Sequence, residues 1–363
     1  MIWYLPLEDL EQRYTTMWNA ALWPLVDHYL YPDLPSQGEI QVGEFLDVFG
    51  TIQFKAAQMQ MVATAFREGR VQTGDVFLVA DLFYPGIEAI RYMAELGGVE
   101  VYMAGYNHAG RADPTDFVQR LGPWADLSEA GYHAIMDVVL VGSSFQAGQV
   151  ARAYGSQAPA AREPVVTGAV WDRSWVDGVY PADPSVPKGD RVIWPHRCSH
   201  EKGFDLLLRF AALVRVPVLV TSCGCIPQEY KSQMDDAGIP WLDHISKARY
   251  YEEMQGSRWY LSTARQETFG YTLQEAIHYG CRVLAPSGAC YPEMLPPENL
   301  YPVGDTQEAA RRINADEVPS VPMSYTEQWD GNAELMVAVA ESLPGALGRV
   351  LRYTEQWDGE RKQ

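Results

Sequence analysis

Short apolar runs that end in a turn alternate with stretches of helical periodicity from one end of this chain to the other. That alternation constrains the fold more than any other feature, because strand–helix–strand units pair their strands in parallel and cross over with a right hand. Gly74–Asp81 shows the unit clearly: a buried strand ends in a carboxylate, Pro85-Gly86 turns the chain, Ile87–Leu96 has helical spacing, and Val99–Met103 is the next strand. Before it, the spacing predicts a strand at Ile2–Pro6, a loop over Leu7–Arg13, a helix over Tyr14–Tyr29, a strand near Ile40–Val42 and a helix over Thr51–Glu68. After it, Asp137–Gly142 reads as a strand, Ser143-Ser144 as the cap of the next helix, and Val165–Ala169 as the last strand of the half.

Residues 173–190 are rich in Pro, Asp, Gly and Ser and lose the periodicity, so they are predicted to link two domains. The alternation resumes with strands at Val192–Pro195, Pro217–Ser222, Trp241–His244, Trp259–Ala264, Arg282–Pro286 and Leu300–Val303. The expected architecture is α/β: a Rossmann-like domain over 1–172, a second over 191–320, and a helical tail over 321–363. A chain of 363 residues with 47% apolar content can fill two cores.

Composition narrows the surroundings. No charged leader followed by an apolar core opens the chain, and no run is long enough to span a bilayer. The five cysteines all lie between Cys198 and Cys290, an odd set that suits reduced thiols, so a cytoplasmic location is expected. Cys223-Gly-Cys225 ends a strand, and no second Cys/His cluster has zinc-like spacing, so neither metal nor cofactor is expected. The net charge is −19, and residues 1–165 hold nine Lys and Arg against twenty Asp and Glu, a balance of −11. No basic footprint for nucleic acid is visible, although Arg13, Arg91, Arg111 and Arg120 could converge in the folded state.

Two segments of the second half carry chemistry. In the first, the strand Arg191–Pro195 runs into a loop bearing Arg197 and Lys202, with Gly203 before a helix. A planar guanidinium and an ammonium on one loop at a strand's C-terminal end suit a diphosphate. In the second, Arg258–Ala264 is a strand, Glu267 follows it, Phe269, Gly270 and Tyr271 make the turn, and Glu275 lies about one turn into the next helix. The free N–H groups at Gly270 and Tyr271 suit phosphate, and a carboxylate one turn in can accept from ribose hydroxyls.

Together these segments resemble the donor half of retaining glycosyltransferases of family 4, in which an Arg is followed five positions later by Lys-Gly and a Glu-x7-Glu lies downstream. Trp194-Pro-His-Arg197 with Glu201-Lys202, Ser262-Thr-Ala264, Glu267-Thr-Phe-Gly270, Gly280-Cys281 and Tyr291-Pro-Glu293 are similar to queuosine-tRNA mannosyltransferase-like proteins and phage-encoded glycosyltransferases. The likeness covers about residues 190–305, and His196 stands where many members have Gly. It implies a GT-B fold with two Rossmann-like domains facing a central cleft and C-terminal helices crossing back onto the first. It also implies a nucleotide-diphosphate sugar (UDP or GDP) as co-substrate, Arg197, Lys202 and the Gly270 turn on the diphosphate, Glu267 on the sugar and Glu275 on the ribose.

For the first half, His108 in the loop after a strand, with Asp113 five positions on, is the candidate to touch the donor sugar. Glu8, Arg13, Tyr14, Asp81 and Arg111 are the candidates for the acceptor. The reaction implied by the resemblance is sugar transfer with retention to a hydroxyl of a modified nucleobase. A hydroxymethyl-pyrimidine in phage DNA is favoured, with queuosine in tRNA or a small-molecule or glycan acceptor as alternatives. Two readings from other classes are a non-catalytic sugar-nucleotide binder, which would not need both Glu267 and Glu275, and a UDP-sugar epimerase, which would act without an acceptor. Tyr325–Gly331 recurs without change as Tyr353–Gly359, and two copies do not make a solenoid.

Overall fold

A computed structural model describes residues 1–10, 13–34, 48–154 and 163–345. The first domain is a parallel six-stranded sheet of β1 (Ile2–Leu5), β2 (His28–Tyr29), β3 (Val76–Val79), β4 (Tyr102–Tyr106), β5 (Val138–Val141) and β6 (Val165–Val166), in the order β2-β1-β3-β4-β5-β6. The second domain is another parallel six-stranded sheet, of β7 (Gly189–Trp194), β8 (Val218–Thr221), β9 (Trp241–Leu242), β10 (Ser257–Leu261), β11 (Arg282–Pro286) and β12 (Leu300–Tyr301), in the order β12-β11-β10-β7-β8-β9. Strand order reverses between β7 and β10 in the second sheet and between β1 and β3 in the first. Ligand crevices of open α/β sheets lie outside the strands' C-terminal ends at such points. Here the loops after β7, β10, β1 and β3 are the ones carrying Arg197, Glu267, Arg13 and Asp81.

The inner strands Val76–Val79 and Val138–Val141 are apolar and buried on every residue, as strands covered by helices on both faces must be. One buried cluster runs across the domain boundary, joining Tyr4, Trp18 and Tyr106 of the first domain to Phe269, Leu273 and Tyr291 of the second.

Several expectations change at the edges of elements. The helix expected over Tyr14–Tyr29 is Thr15–Leu22, followed by a 3-10 turn at Trp23–Leu25 and the edge strand β2. Pro24 cannot continue the helix. Beyond it the Asp27 carboxylate accepts from Ile2 N at 2.6 Å and His28 stacks on Trp3 at 3.7 Å, which draws the segment into the sheet. The strand expected near Ile40–Val42 lies outside the described residues. Within the expected linker, Arg173–Val179 is a helix, because the Asp172 side chain caps it by accepting from Trp175 N at 2.9 Å. Ser143 caps the helix Ser144–Tyr154 as expected, its Oγ accepting from Gln146 N.

The tail comes back onto the junction between the domains. Trp171 bridges Asp330, Arg173 N donates to the Asp330 carboxylate, Asn332 donates to Ala169 O at 2.8 Å, and a helix runs over residues 332–345. The first copy of the repeated heptapeptide therefore has a structural task. Its Trp329 packs edge-on against Phe269 at 5.6 Å. The second copy lies outside the described residues.

Candidate functional site

The loops after β7 and β10 are laced to each other before any ligand is considered. Arg265 donates to His200 O and pairs with Asp205 at 2.7 Å, and Thr263 Oγ1 donates to Lys202 O at 2.8 Å. Gly203 has a left-handed backbone (φ +71°), and a Cβ there would collide with the carbonyl oxygen of Thr263. Gly270 is likewise left-handed (φ +74°) and starts the helix Tyr271–His278, whose first N–H groups have no intrahelical acceptors.

On this frame Lys202 Nζ lies 3.1 Å from Glu267 Oε2 and 4.0 Å from Glu201 Oε1. Burial raises the pKa of Glu267, but the Lys202 charge and hydrogen bond, together with His196 and the Thr268 N–H, outweigh it and hold the carboxyl below its ordinary value. Arg197 is half exposed and pairs with Glu201 at 2.5 Å. Beneath the loop, His196 is buried against Tyr260 Oη at 3.1 Å, and burial, with Lys202 close by, pushes its pKa down to about 3. It is therefore a neutral ring at the position where the resembled family often has glycine.

Arg13 reaches the same place from the first domain. Burial, then the facing Arg197, lowers its pKa to about 10, and no anionic partner contacts its guanidinium among the described residues. Arg13, Tyr14, Arg197, Lys202 and Glu267 line two adjoining lobes of the interdomain cleft. The lobe toward the second domain, about 1150 Å³ of open space, extends to Thr221–Cys225, Lys247, Tyr250, Thr272 and Glu275. In it Thr221 Oγ1 is buried without a hydrogen-bond partner among the described residues. The lobe toward the first domain, about 870 Å³, is walled by His108, Asp113, Asp116, Phe117, Gln266 and Thr268.

Glu275 is buried and already engaged: Lys247 Nζ donates at 2.8 Å, Tyr250 Oη and Tyr251 Oη each at 2.7 Å. A carboxylate has about four acceptor positions, so room for one further hydroxyl remains. Lys247, Tyr250 and Tyr251 escaped sequence reasoning. The signal was their spacing, which puts a cation and two rings on one helix face one turn apart just after the Ser246 cap.

The first-domain candidates separate. His108 faces the cleft, but its Nε2 lies 2.8 Å from Ala80 O and its Nδ1 3.2 Å from Tyr14 Oη, and burial lowers its pKa. It is a neutral, fixed wall rather than a free base. Tyr14 stacks on Tyr271 across the domains at 4.7 Å. Asp113 lines the cleft while accepting from Thr115 N and Oγ1. Asp116, which the sequence did not single out, stands beside it with its pKa raised to about 6 by burial. Two of the remaining acceptor candidates have other partners. Asp81 forms a buried pair with Lys55 at 2.5 Å. Arg111 is clamped to Asp126 and donates to Val118 O at 2.9 Å. Glu8 is buried outside both lobes beside Thr51, and burial raises its pKa. Phe269 contributes backbone only, since its ring is core. Cys225, which lines the larger lobe, groups with Asp243 and His244, their ligand atoms within 4.8 Å of one another. Lys231, 2.5 Å from Asp243, already balances the carboxylate.

No protein-family model matches the chain. Over 119 residues it is 34% identical to a tRNA-queuosine alpha-mannosyltransferase of Drosophila melanogaster, a match spanning 30% of this chain and 32% of that relative. Among solved structures it is similar to a sucrose-phosphate synthase of Thermosynechococcus elongatus, with a TM-score of 0.58 at 14% identity over 94% of this chain and 93% of that one. It is also similar to HepE of Anabaena, solved with UDP and glucose, with a TM-score of 0.54 at 16% identity over 81% and 82%. A trehalose-6-phosphate synthase of Burkholderia multivorans gives 0.54 at 12% identity over 86% and 77%. The two facing Rossmann-like domains, with the tail returning to their junction, are a GT-B fold, and in sequence and architecture the chain is similar to glycosyltransferases.

Proposed function

We propose that this protein is a glycosyltransferase that takes its sugar from a nucleotide-diphosphate sugar. The observation carrying this reading is the convergence of Arg13, Arg197 and Lys202 with Glu267 at the switch-point crevice between the domains. Cations gathered in a partly enclosed site, one of them without a carboxylate partner, call for an anion of more than one charge. A diphosphate there places its nucleoside in the lobe of Thr221–Cys225 and Glu275 and its sugar beside Glu267. When the glycosidic bond breaks, negative charge grows on the leaving phosphate, where these cations and the Gly270 helix start stabilise it. Arg13 thereby moves from the acceptor role expected of it to the donor diphosphate.

The acceptor we assign is a hydroxyl of a modified nucleoside, with queuosine in tRNA the first to test. The sequence relative acts on that nucleoside by name, and the first-domain lobe offers Asp113 and Asp116 as acceptors for hydroxyls. A hydroxymethyl-pyrimidine in DNA is the competing acceptor. The test is incubation with UDP- and GDP-hexoses and either queuosine-containing tRNA, hydroxymethylated DNA or the free nucleosides, followed by mass spectrometry of the nucleosides. A hexose adduct on queuosine supports the assignment, and an adduct on DNA alone replaces it. Retention of the donor's anomeric configuration is part of the proposal and is read by NMR of the product. Nucleotide binding without transfer or hydrolysis of any donor would leave a sugar-nucleotide binder. Epimerisation of the free donor would make the protein an epimerase.

A further inference from the structure

The helix Ser144–Tyr154 belongs to the first domain by sequence, yet its N-terminal turns face the second. The Glu293 carboxylate, from the second domain, accepts from Ser144 N and from Phe145 N, each at 2.8 Å. One turn further, the side-chain amides of Gln149 and Gln266 exchange two buried hydrogen bonds, of 3.2 and 3.0 Å. Just before the helix, Gly142 approaches the donor loop so closely that a Cβ would lie 3.2 Å from Thr268 O and 3.2 Å from Phe269 Cβ. The same helix holds the first-domain wall of the cleft: Gln146 donates to Asn107 O at 2.6 Å, next to His108. Its other contact, Gln266, precedes Glu267, and the Gln266 carbonyl accepts from Lys202 Nζ at 3.3 Å.

We propose that Glu293 is a positioning residue: it latches the helix Ser144–Tyr154 onto the second domain and so sets the register between the His108 wall and the Glu267 loop. Two backbone N–H groups at a helix N-terminus, with a carboxylate in front of them, combine charge-assisted hydrogen bonds with the positive end of the helix dipole. Glu293 stands outside both lobes of the cleft, so it acts through Gln266 and Asn107 and touches no substrate. Its effect on turnover rests on the glycosyltransferase reading, whereas the latch itself does not.

The experiment has two arms. The first is amide hydrogen exchange of the ligand-free protein. Glu293→Gln keeps the shape and removes the charge, and Glu293→Ala removes both. Exchange at Ser144, Phe145 and the Gln266 loop should rise about ten- to a hundredfold in both variants, while the β7–β10 core keeps its protection. Unchanged exchange at Ser144 and Phe145 overturns the latch, whatever the protein catalyses. Loss of protection throughout the second domain also overturns it, because Glu293 would then be supporting the fold.

The second arm is kinetic and uses UDP as the binding probe and a UDP-hexose as donor. UDP affinity by calorimetry should fall by no more than about threefold, since apart from Arg13 and Tyr14 the nucleotide lobe is built from the second domain, while kcat should fall about tenfold or more. Equal losses of affinity and kcat would overturn the positioning role. Faster exchange at Ser144 in a protein that turns over no donor would uphold the latch and count against the proposed function.

Discussion

Glu267 and Glu275 are eight positions apart, and their surroundings set them to different tasks. Glu267 is held ionised by Lys202 at the point where the two lobes meet. Glu267→Gln should lower turnover at least about tenfold while changing UDP affinity by less than about threefold, because the lost charge acts on the sugar rather than the diphosphate. Parallel calorimetry and initial rates check this, and full activity in the variant would remove Glu267 from the site. Glu275 is the buried counter-charge of Lys247. Glu275→Gln leaves that ammonium without its carboxylate, so the folded state should lose roughly 3–5 kcal/mol in denaturant unfolding, in addition to weaker nucleotide binding. A variant as stable as wild type would mean that Lys247 finds solvent at no cost.

A second residue-scale prediction concerns pH. Glu129 is buried beside the first-domain wall, accepts from Arg111 N and Tyr154 Oη, and burial raises its pKa from 4.5 to about 7. A carboxyl whose folded pKa is raised contributes stability below its unfolded value and loses it as pH rises through the folded one. Wild type should therefore lose ground to Glu129→Gln between pH 5 and pH 8, values of roughly one to two units on either side of the transition. The difference in Tm between the two proteins at each pH reads this directly. A difference that does not change with pH would show that Glu129 titrates normally.

At the scale of elements, the loop after β7 depends on a backbone that only glycine adopts without strain. Gly203→Ala adds a Cβ against the Thr263 carbonyl at a left-handed φ. The expected loss is about 1–3 kcal/mol of stability, with weaker UDP binding because Lys202 is the next residue. Stability lost with UDP affinity intact would separate the loop's shape from its charge. This element was legible in the sequence, as were the inner strands, because buried parallel strands are continuous apolar runs and the Arg197–Lys202 and Glu267–Glu275 spacings sit on loops that follow them. What was not legible depends on contacts distant in sequence. Asp27 and Trp3 turn the end of an expected helix into a strand. Asp126 and Lys55 claim Arg111 and Asp81, two residues that looked available for an acceptor. Arg13 was recognised as a cation near the cleft, but its position opposite Arg197 arises only when two domains close on each other. Tyr291-Pro-Glu293 stood out by its resemblance, but nothing local shows that Glu293 caps a helix 149 residues before it.

For the whole molecule, the distribution of charge decides how an acceptor can be held. The chain carries −19, and the first half −11. The cations lining the two lobes of the cleft are Arg13, Arg197, Lys202 and Lys247, the first three of which are the ones proposed for the diphosphate. Arg111 is neutralised by Asp126. A nucleic acid approaching this surface would release few counterions, so the apparent affinity for tRNA should depend weakly on salt, with a log–log slope of about −2 or shallower. Recognition should then rest on the modified nucleoside itself, drawn into the lobe of Asp113 and Asp116. Free queuosine nucleoside should react with a kcat/KM within about tenfold of that for tRNA, since the missing phosphates contribute little. Asp113→Asn and Asp116→Asn should raise the acceptor KM on both substrates without changing the donor KM. The measurement is acceptor KM against ionic strength for tRNA and for the nucleoside, with wild type and each variant. A slope of about −5 or steeper, with activity confined to tRNA, would require a basic surface that these residues do not form and would sink the small-footprint account of the acceptor.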